Sequence, residues 1–123
     1  MRRDKNDADW QATKKTVIER DQKDRTHSLP AKYALGVLSK AQKIGQLGLD
    51  CAHIYSVGKY PLLCYDPNNI VLINRYLHSC LDDFKSPLTR DSISLEEVMR
   101  WWEMLAGKTQ WTNLQNELGR LCF

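Results

Sequence analysis

Five residues of this chain have types and spacing that suit chemistry: Asp50, His53, Asn69, His78 and Asp82. An imidazole takes and returns a proton near neutral pH, and carboxylates hold hard divalent cations. His78 and Asp82 stand at i and i+4 in a segment of helical periodicity, so both side chains share one helix face and can converge on a single ion. His53 follows Asp50 on a segment that reads as a strand, and Asn69 opens a second apolar run. Each also has a structural reading, as a core histidine, a turn asparagine or a salt-bridged aspartate. His27 falls in a polar stretch and reads as a surface histidine.

The elements that must position these groups follow from periodicity. Asp9 is an expected N-cap for a helix over residues 10–20, with Trp10, Thr13, Val17 and Ile18 as its apolar stripe. After a polar loop from Gln22 to Ser28, Pro30 suits the first turn of a second helix whose Ala34, Val37, Leu38, Ala41 and Ile44 share a face. Residues 49–56 read as a strand. The turn Asp66-Pro67-Asn68-Asn69 leads into a buried strand, Ile70-Val71-Leu72-Ile73, and helix returns from Arg75 to about Phe84. Ser94 and Glu97 have capping-box spacing ahead of a helix that Gly107 ends, and Trp111, Leu114, Leu118 and Leu121 mark a last helix. Adjacent Trp101 and Trp102 point ~100° apart on such a helix, so only Trp102, on the apolar stripe, is expected fully in the core.

A histidine on a first strand, an asparagine opening a second and a histidine on the following helix resembles the His-Asn-His (HNH, or ββα-metal) endonucleases. The blocks Cys51-Ala52-His53-Ile54, Tyr65 to Val71, Leu77-His78-Ser79 and Leu81-Asp82, with the lead-in Glu19-Arg20-Asp21, look like the small phage-type branch that includes the NinG recombination proteins. The resemblance implies an α+β fold: one domain over residues 1–123, with a basic tail (1–8), N-terminal helices (9–47), a ββα-metal core (48–84) and C-terminal helices (92–121). It implies a phage-encoded endonuclease that hydrolyses DNA phosphodiester bonds in DNA processing or recombination. His53 is then the general base, with Asn69 orienting it or reaching the metal. Asp50, His78 and Asp82 are the implied ligands of one divalent ion, Mg²⁺ or Mn²⁺.

The chain departs from that family in two places. Ala52 stands where many relatives carry a metal-binding residue immediately before the base histidine, which leaves Asp50 as the nearest carboxylate. The paired cysteines of the treble-clef zinc site are also missing: the second pair aligns with Asn74 and Leu77, and the first falls near Thr26 and Leu29 or is absent altogether, since no cysteine precedes Cys51. A zinc-free, treble-clef-like core is therefore expected, with the helix after Pro30 burying Val37, Leu38 and Ile44 against Leu77 and Leu81 in place of the metal. The four cysteines, Cys51, Cys64, Cys80 and Cys122, form no C-x-x-C pair and read as reduced thiols.

Composition bounds the partners. The 123 residues carry 18 Lys+Arg against 15 Asp+Glu, a net charge of +3 that permits a polyanion without demanding one. Lys14, Lys15, Lys59 and Arg75 are the candidate contacts to duplex or branched DNA. No uncharged stretch approaches the ~20 apolar residues of a membrane span. No apolar leader follows the charged N-terminus either, so the expected compartment is the cytoplasm, the host's if the chain is phage-encoded. Two other readings stand beside the nuclease. One is a catalytically silent HNH-derived module that binds nucleic acid or protein; the other is a helical interaction protein in which the motif is coincidence.

Overall fold

The structure, a computed structural model, describes residues 7–121. Most of the basic tail, with Arg2, Arg3 and Lys5, and also Cys122, lie outside the described residues. In chain order the elements are α1 (Ala8–Asp21), α2 (Ala31–Lys43), β1 (Leu49–His53), β2 (Ile70–Asn74), α3 (Arg75–Asp82), α4 (Leu95–Ala106) and α5 (Lys108–Leu121). The fold is α+β, with β1 and β2 paired antiparallel so that Leu49 lies opposite Asn74 and His53 opposite Ile70. No helix among the described residues is long and apolar enough to cross a membrane.

β2 is buried at every position because helices cover both of its faces. Alternation sends Ile70 and Leu72 into one cluster with Trp10 and Val17 of α1, and Val71 and Ile73 into the main core with Ala52, Leu77 and Leu81. Each such side chain contributes about 1.5–3 kcal/mol of apolar burial. The strand passes directly into α3, where Asn74 is the N-cap: its Oδ1 accepts the Leu77 amide hydrogen at 2.8 Å.

Side chains, and not a further strand, satisfy the outer edge of β2. The Leu72 amide donates to Asp21 Oδ2 at 3.0 Å, while the Ile70 carbonyl accepts from Arg20 Nη2 at 2.6 Å and from Gln110 Nε2 at 3.1 Å. Arg20 and Arg25 both pair with the fully buried Asp21 carboxylate, at 2.7 and 3.0 Å. Burial works to raise the Asp21 pKa, but the Arg20 and Leu72 hydrogen bonds and the two guanidinium charges outweigh it and hold the carboxyl below its ordinary value.

Thr26 and Asn74, from the two positions expected for the family's cysteine pairs, are joined by hydrogen bonds. Asn74 Nδ2 donates to Asp24 Oδ2 at 2.9 Å and to Thr26 Oγ1 at 3.1 Å, and Asp24 Oδ1 accepts from the Thr26 hydroxyl at 2.6 Å. All three residues are buried, and Leu29 and Leu77 lie in the adjoining core.

Several elements differ from expectation for local reasons. Asp7, not Asp9, caps α1, accepting from the Asp9 and Trp10 amides; Ile18 is exposed, and Asp21 joins Trp10, Thr13 and Val17 on the buried face. Leu38 is half-buried and Ile44 exposed, because α2 ends at Lys43 and Ala34, Val37 and Ala41 make its buried face. The supposed polar loop contains a short 3-10 turn, Arg25–Ser28, that buries Thr26. β1 stops at His53, where the chain bends away. Both tryptophans are buried, since α4 is covered on two sides and Trp101 packs on Tyr33 with ring centroids 5.6 Å apart. Beyond α3, Phe84 takes a left-handed backbone conformation (φ 57°), and the next amide, of Lys85, closes on the Cys80 carbonyl at 2.9 Å.

Candidate active-site cleft

An open cleft of about 970 Å³ is bordered by β1, the loop after it, α3 and α4. His53, His78, Asp82 and Lys59 all line it, so both imidazoles reach the same space. Alternation along β1 puts His53 with the residues that face α1 and Asp50 with those that face α3; the cleft is lined by His53 of the strand and by His78 and Asp82 of α3, and Asp50 does not line it.

His53 is held on two sides. Its Nε2 lies 2.9 Å from the Cys64 carbonyl oxygen, and its ring stacks on Trp10 with centroids 5.3 Å apart and planes inclined by 21°. A carbonyl only accepts, so the neutral ring carries its proton on Nε2 and its lone pair on Nδ1. Trp10 is in turn anchored through its helix: the Tyr65 hydroxyl donates to Asp7, and Thr13 Oγ1 lies 3.3 Å from the Tyr65 carbonyl. The Asp7 carboxylate stabilises the protonated phenol, and the Tyr65 pKa is pushed up to about 12.

Asn69 lies behind the cleft, fully buried. Its Oδ1 accepts the Tyr55 amide hydrogen at 2.8 Å, while its Nδ2 donates to the Tyr55 and Leu63 carbonyls at 3.0 and 3.2 Å. All of its contacts are to backbone, so it pins both ends of the loop between the strands. It positions His53 through that loop and does not touch the ring.

Asp50, His78 and Asp82 come together in a line and not around a point. His78 Nδ1 lies 3.1 Å from Asp50 Oδ2, and His78 Nε2 lies 3.3 Å from Asp82 Oδ2. Arg75 Nη2, 3.2 Å from Asp50 Oδ1, completes the Asp50 contacts. Burial works to raise the Asp50 pKa, and hydrogen bonds from His78 and Arg75 overcome it, leaving the carboxyl below its ordinary value. Asp82 is shifted upward by burial at the cleft wall and by the Asp83 and Asp50 charges, against the pull of His78; with its side chain 61% exposed, water keeps that shift small.

This donor set suits one hard cation at two side chains. A neutral His78 that donates Nδ1–H to Asp50 turns its Nε2 lone pair to Asp82, and the two can share a cation; a protonated ring instead bridges the two carboxylates as an ion pair. The 3.3 Å separation is near the edge of roughly 3.0 Å between neighbouring ligands in an octahedron of ~2.1 Å bonds. Among the described residues no three His, Cys, Asp or Glu side chains form a metal-holding group. Two protein ligands are sufficient for Mg²⁺ or Mn²⁺, which keep several waters. Ala52 is fully buried and brings no ligand.

The candidate nucleic-acid residues disperse. Lys59 is on the cleft rim over the Tyr60 ring at 5.7 Å, Lys14 sits over Trp10 at 5.9 Å, and Arg75 is engaged by Asp50. Lys15 is exposed on α1 and does not line the cleft. Sequence reading does not single out Trp10, Cys64 or Asp24 for the site, whereas Thr26 and Asn74 stand at the expected positions of the two cysteine pairs. Trp10 registers there as a stripe residue of the lead-in helix, and nothing in its spacing places it on His53. Compared with family models, with curated proteins and with solved structures, the chain finds no match in any of the three.

Proposed function

We propose that this protein is a metal-dependent endonuclease of the HNH type, with β1, β2 and α3 as its ββα-metal unit. The observation that carries the proposal is the shared cleft: His53 from the strand and the His78–Asp82 pair from the helix line one solvent-open space. The Asn74–Thr26–Asp24 hydrogen bonds at the missing cysteine positions support a zinc-free version of that unit.

In this reading His53 is the general base. Its Nδ1 lone pair takes the proton of the water that attacks phosphorus, as the P–O bond to the leaving ribose oxygen breaks. The Cys64 carbonyl on Nε2–H steadies the imidazolium that forms, and Trp10 holds the ring plane. His78 Nε2 and Asp82 would hold the divalent ion, with Asp50 fixing the His78 tautomer from the other side. When bound, the ion supplies positive charge to the phosphate and the leaving oxygen. Residues like Lys59 grip backbone phosphates without reading sequence.

A plasmid-nicking assay in Mg²⁺ or Mn²⁺, run beside His53→Ala, tests the proposal. Wild type converts supercoiled to open circle, and His53→Ala is slower by about 10²-fold or more. Equal residual cutting by both proteins leaves the silent DNA- or protein-binding module as the better reading.

A further inference from the structure

β1 has an edge that the fold leaves open. The Ile54 amide donates to the Asn69 carbonyl and the Arg75 amide to the Gly48 carbonyl, each at 2.8 Å. Antiparallel alternation between these two bonds turns the backbone groups of Asp50 and Ala52 toward β2 and those of Leu49 and Cys51 away from it. Leu72, opposite Cys51, obeys the same alternation, with its amide pointing outward to Asp21. Side chains seal the outer edge of β2, whereas among the described residues nothing pairs with the outward backbone groups of Leu49 and Cys51. Such an edge offers donors and acceptors in alternation, a pattern that another extended backbone matches.

Exposed apolar side chains lie at both ends of this edge. Ile44, Leu47 and Leu49 are exposed in the stretch that leads into β1, and Phe84 and Leu95 are exposed on the wall of the cleft at its other end. The charged side chains lining that cleft are Lys59 and Asp82, a balance that suits an apolar occupant. An antiparallel copy of the same strand brings each end against the other. With Cys51 opposite the partner's Cys51, Asp50 faces the partner's Ala52 and no like charges meet. Continued, this register sets Leu47 level with the partner's Tyr55, which lines the cleft. Pairing Leu49 with the partner's Cys51 instead would set the two Asp50 carboxylates opposite each other.

We infer that a second copy of this chain pairs with β1 about a twofold axis at Cys51. The two sheets join into one, and residues 44–49 of each copy lie over the mouth of the other's cleft. Because the edge of β2 is sealed, the assembly closes at the dimer. The inference goes beyond the proposed function and is tested without nucleic acid, so the two fail separately: a protein that pairs but cuts nothing keeps this inference and loses the nuclease.

Sedimentation equilibrium of the full chain in reducing buffer, from about 1 to 300 μM, reads the association. Wild type is expected to pass from monomer to dimer with a Kd of about 10–100 μM, as for a small, transient interface. Leu49→Pro removes an outward amide at the first residue of the strand, where proline is tolerated. Leu47→Glu charges the apolar stretch without touching the strand. Each is expected to weaken the dimer by about tenfold or more, with the melting temperature of wild type. For the register, bismaleimide cross-linking in a Cys122→Ser background leaves Cys51 as the reactive thiol beside the buried Cys64 and Cys80. A dimer band is expected there, and Cys51→Ser abolishes it. Monomer at every concentration overturns the inference and leaves the edge to a strand of another protein. A dimer undiminished in either Leu47→Glu or Leu49→Pro, or one that Cys51 does not cross-link, overturns it as well, since the copies then meet elsewhere.

Discussion

Asn74 and Asp24 are joined by a buried hydrogen bond of 2.9 Å that ties the first residue before α3 to the turn after α1. Through this bond and its own cap to the Leu77 amide, Asn74 sets where α3 begins, and hence where His78 and Asp82 stand. Asn74→Ala removes an N-cap and leaves the Asp24 carboxylate short of a donor. The expected loss is about 2–4 kcal/mol of unfolding free energy, read as a lower midpoint of denaturant unfolding, with metal affinity falling alongside. An unchanged midpoint would mean that this cluster does not hold the helix.

Asn69 makes its three hydrogen bonds to the backbone of the loop between the strands. Asn69→Ala is expected to cost about 2–3 kcal/mol, since buried backbone groups lose their partners. It also slows any His53-dependent cutting, because the loop it pins carries the Cys64 carbonyl that meets the ring. Denaturant unfolding and the nicking assay, run on wild type and variant, check the two losses.

Asp21 gives the fold a pH dependence with a definite sign. Its folded pKa is depressed, so its stabilisation is complete above the ordinary carboxylate value of ~3.9 and is lost as pH falls through the lower folded value. Unfolding monitored by tryptophan fluorescence between pH 7 and pH 2 should show a steep loss below about pH 4. Asp21→Asn, which breaks a buried ion pair, is expected to be less stable by about 3 kcal/mol at pH 7 and to flatten that acid limb.

The His78–Asp82 pair predicts an unequal pattern of metal loss. Asp82→Asn removes a proposed ligand, whereas Asp50→Asn removes only the group that fixes the His78 tautomer. Calorimetric titration with Mn²⁺ should show binding weakened by about 10–100-fold for Asp50→Asn and more for Asp82→Asn. Because His78 Nε2 and Asp82 must both be free of protons to hold the ion, binding to wild type declines with acidity. Equal affinity in all three proteins would place the ion elsewhere.

Local patterns read directly from the chain account for much of this architecture. The turn before Asn69, the run from Ile70, the i and i+4 pairing of His78 with Asp82, and the Ser94 cap on α4 all come from interactions within a few residues, which spacing reports well. What spacing did not report was contact across the fold. Asp24 and Thr26 look like polar loop residues until Asn74 buries them. The Arg20–Asp21 pair resembles a family signature, and only the register of β2 explains it as a seal on a strand edge. Asp50 was grouped with the metal ligands because it precedes His53, yet it meets His78 on the side away from Asp82. Trp10 reaches His53 from the opposite end of the chain, and a linear pattern carries no sign of that.

The seal on β2 draws its side chains from α1 and α5, near the two ends of the described chain, and the catalytic candidates all lie between them. Excising residues 48–84 as a minimal unit would strip Arg20, Asp21 and Gln110 from the strand and leave the apolar run Ile70 to Ile73 with a bare edge open to its neighbours. The terminal helices therefore act as a clasp on the edge of β2, and a version trimmed of either one is expected to associate through that edge.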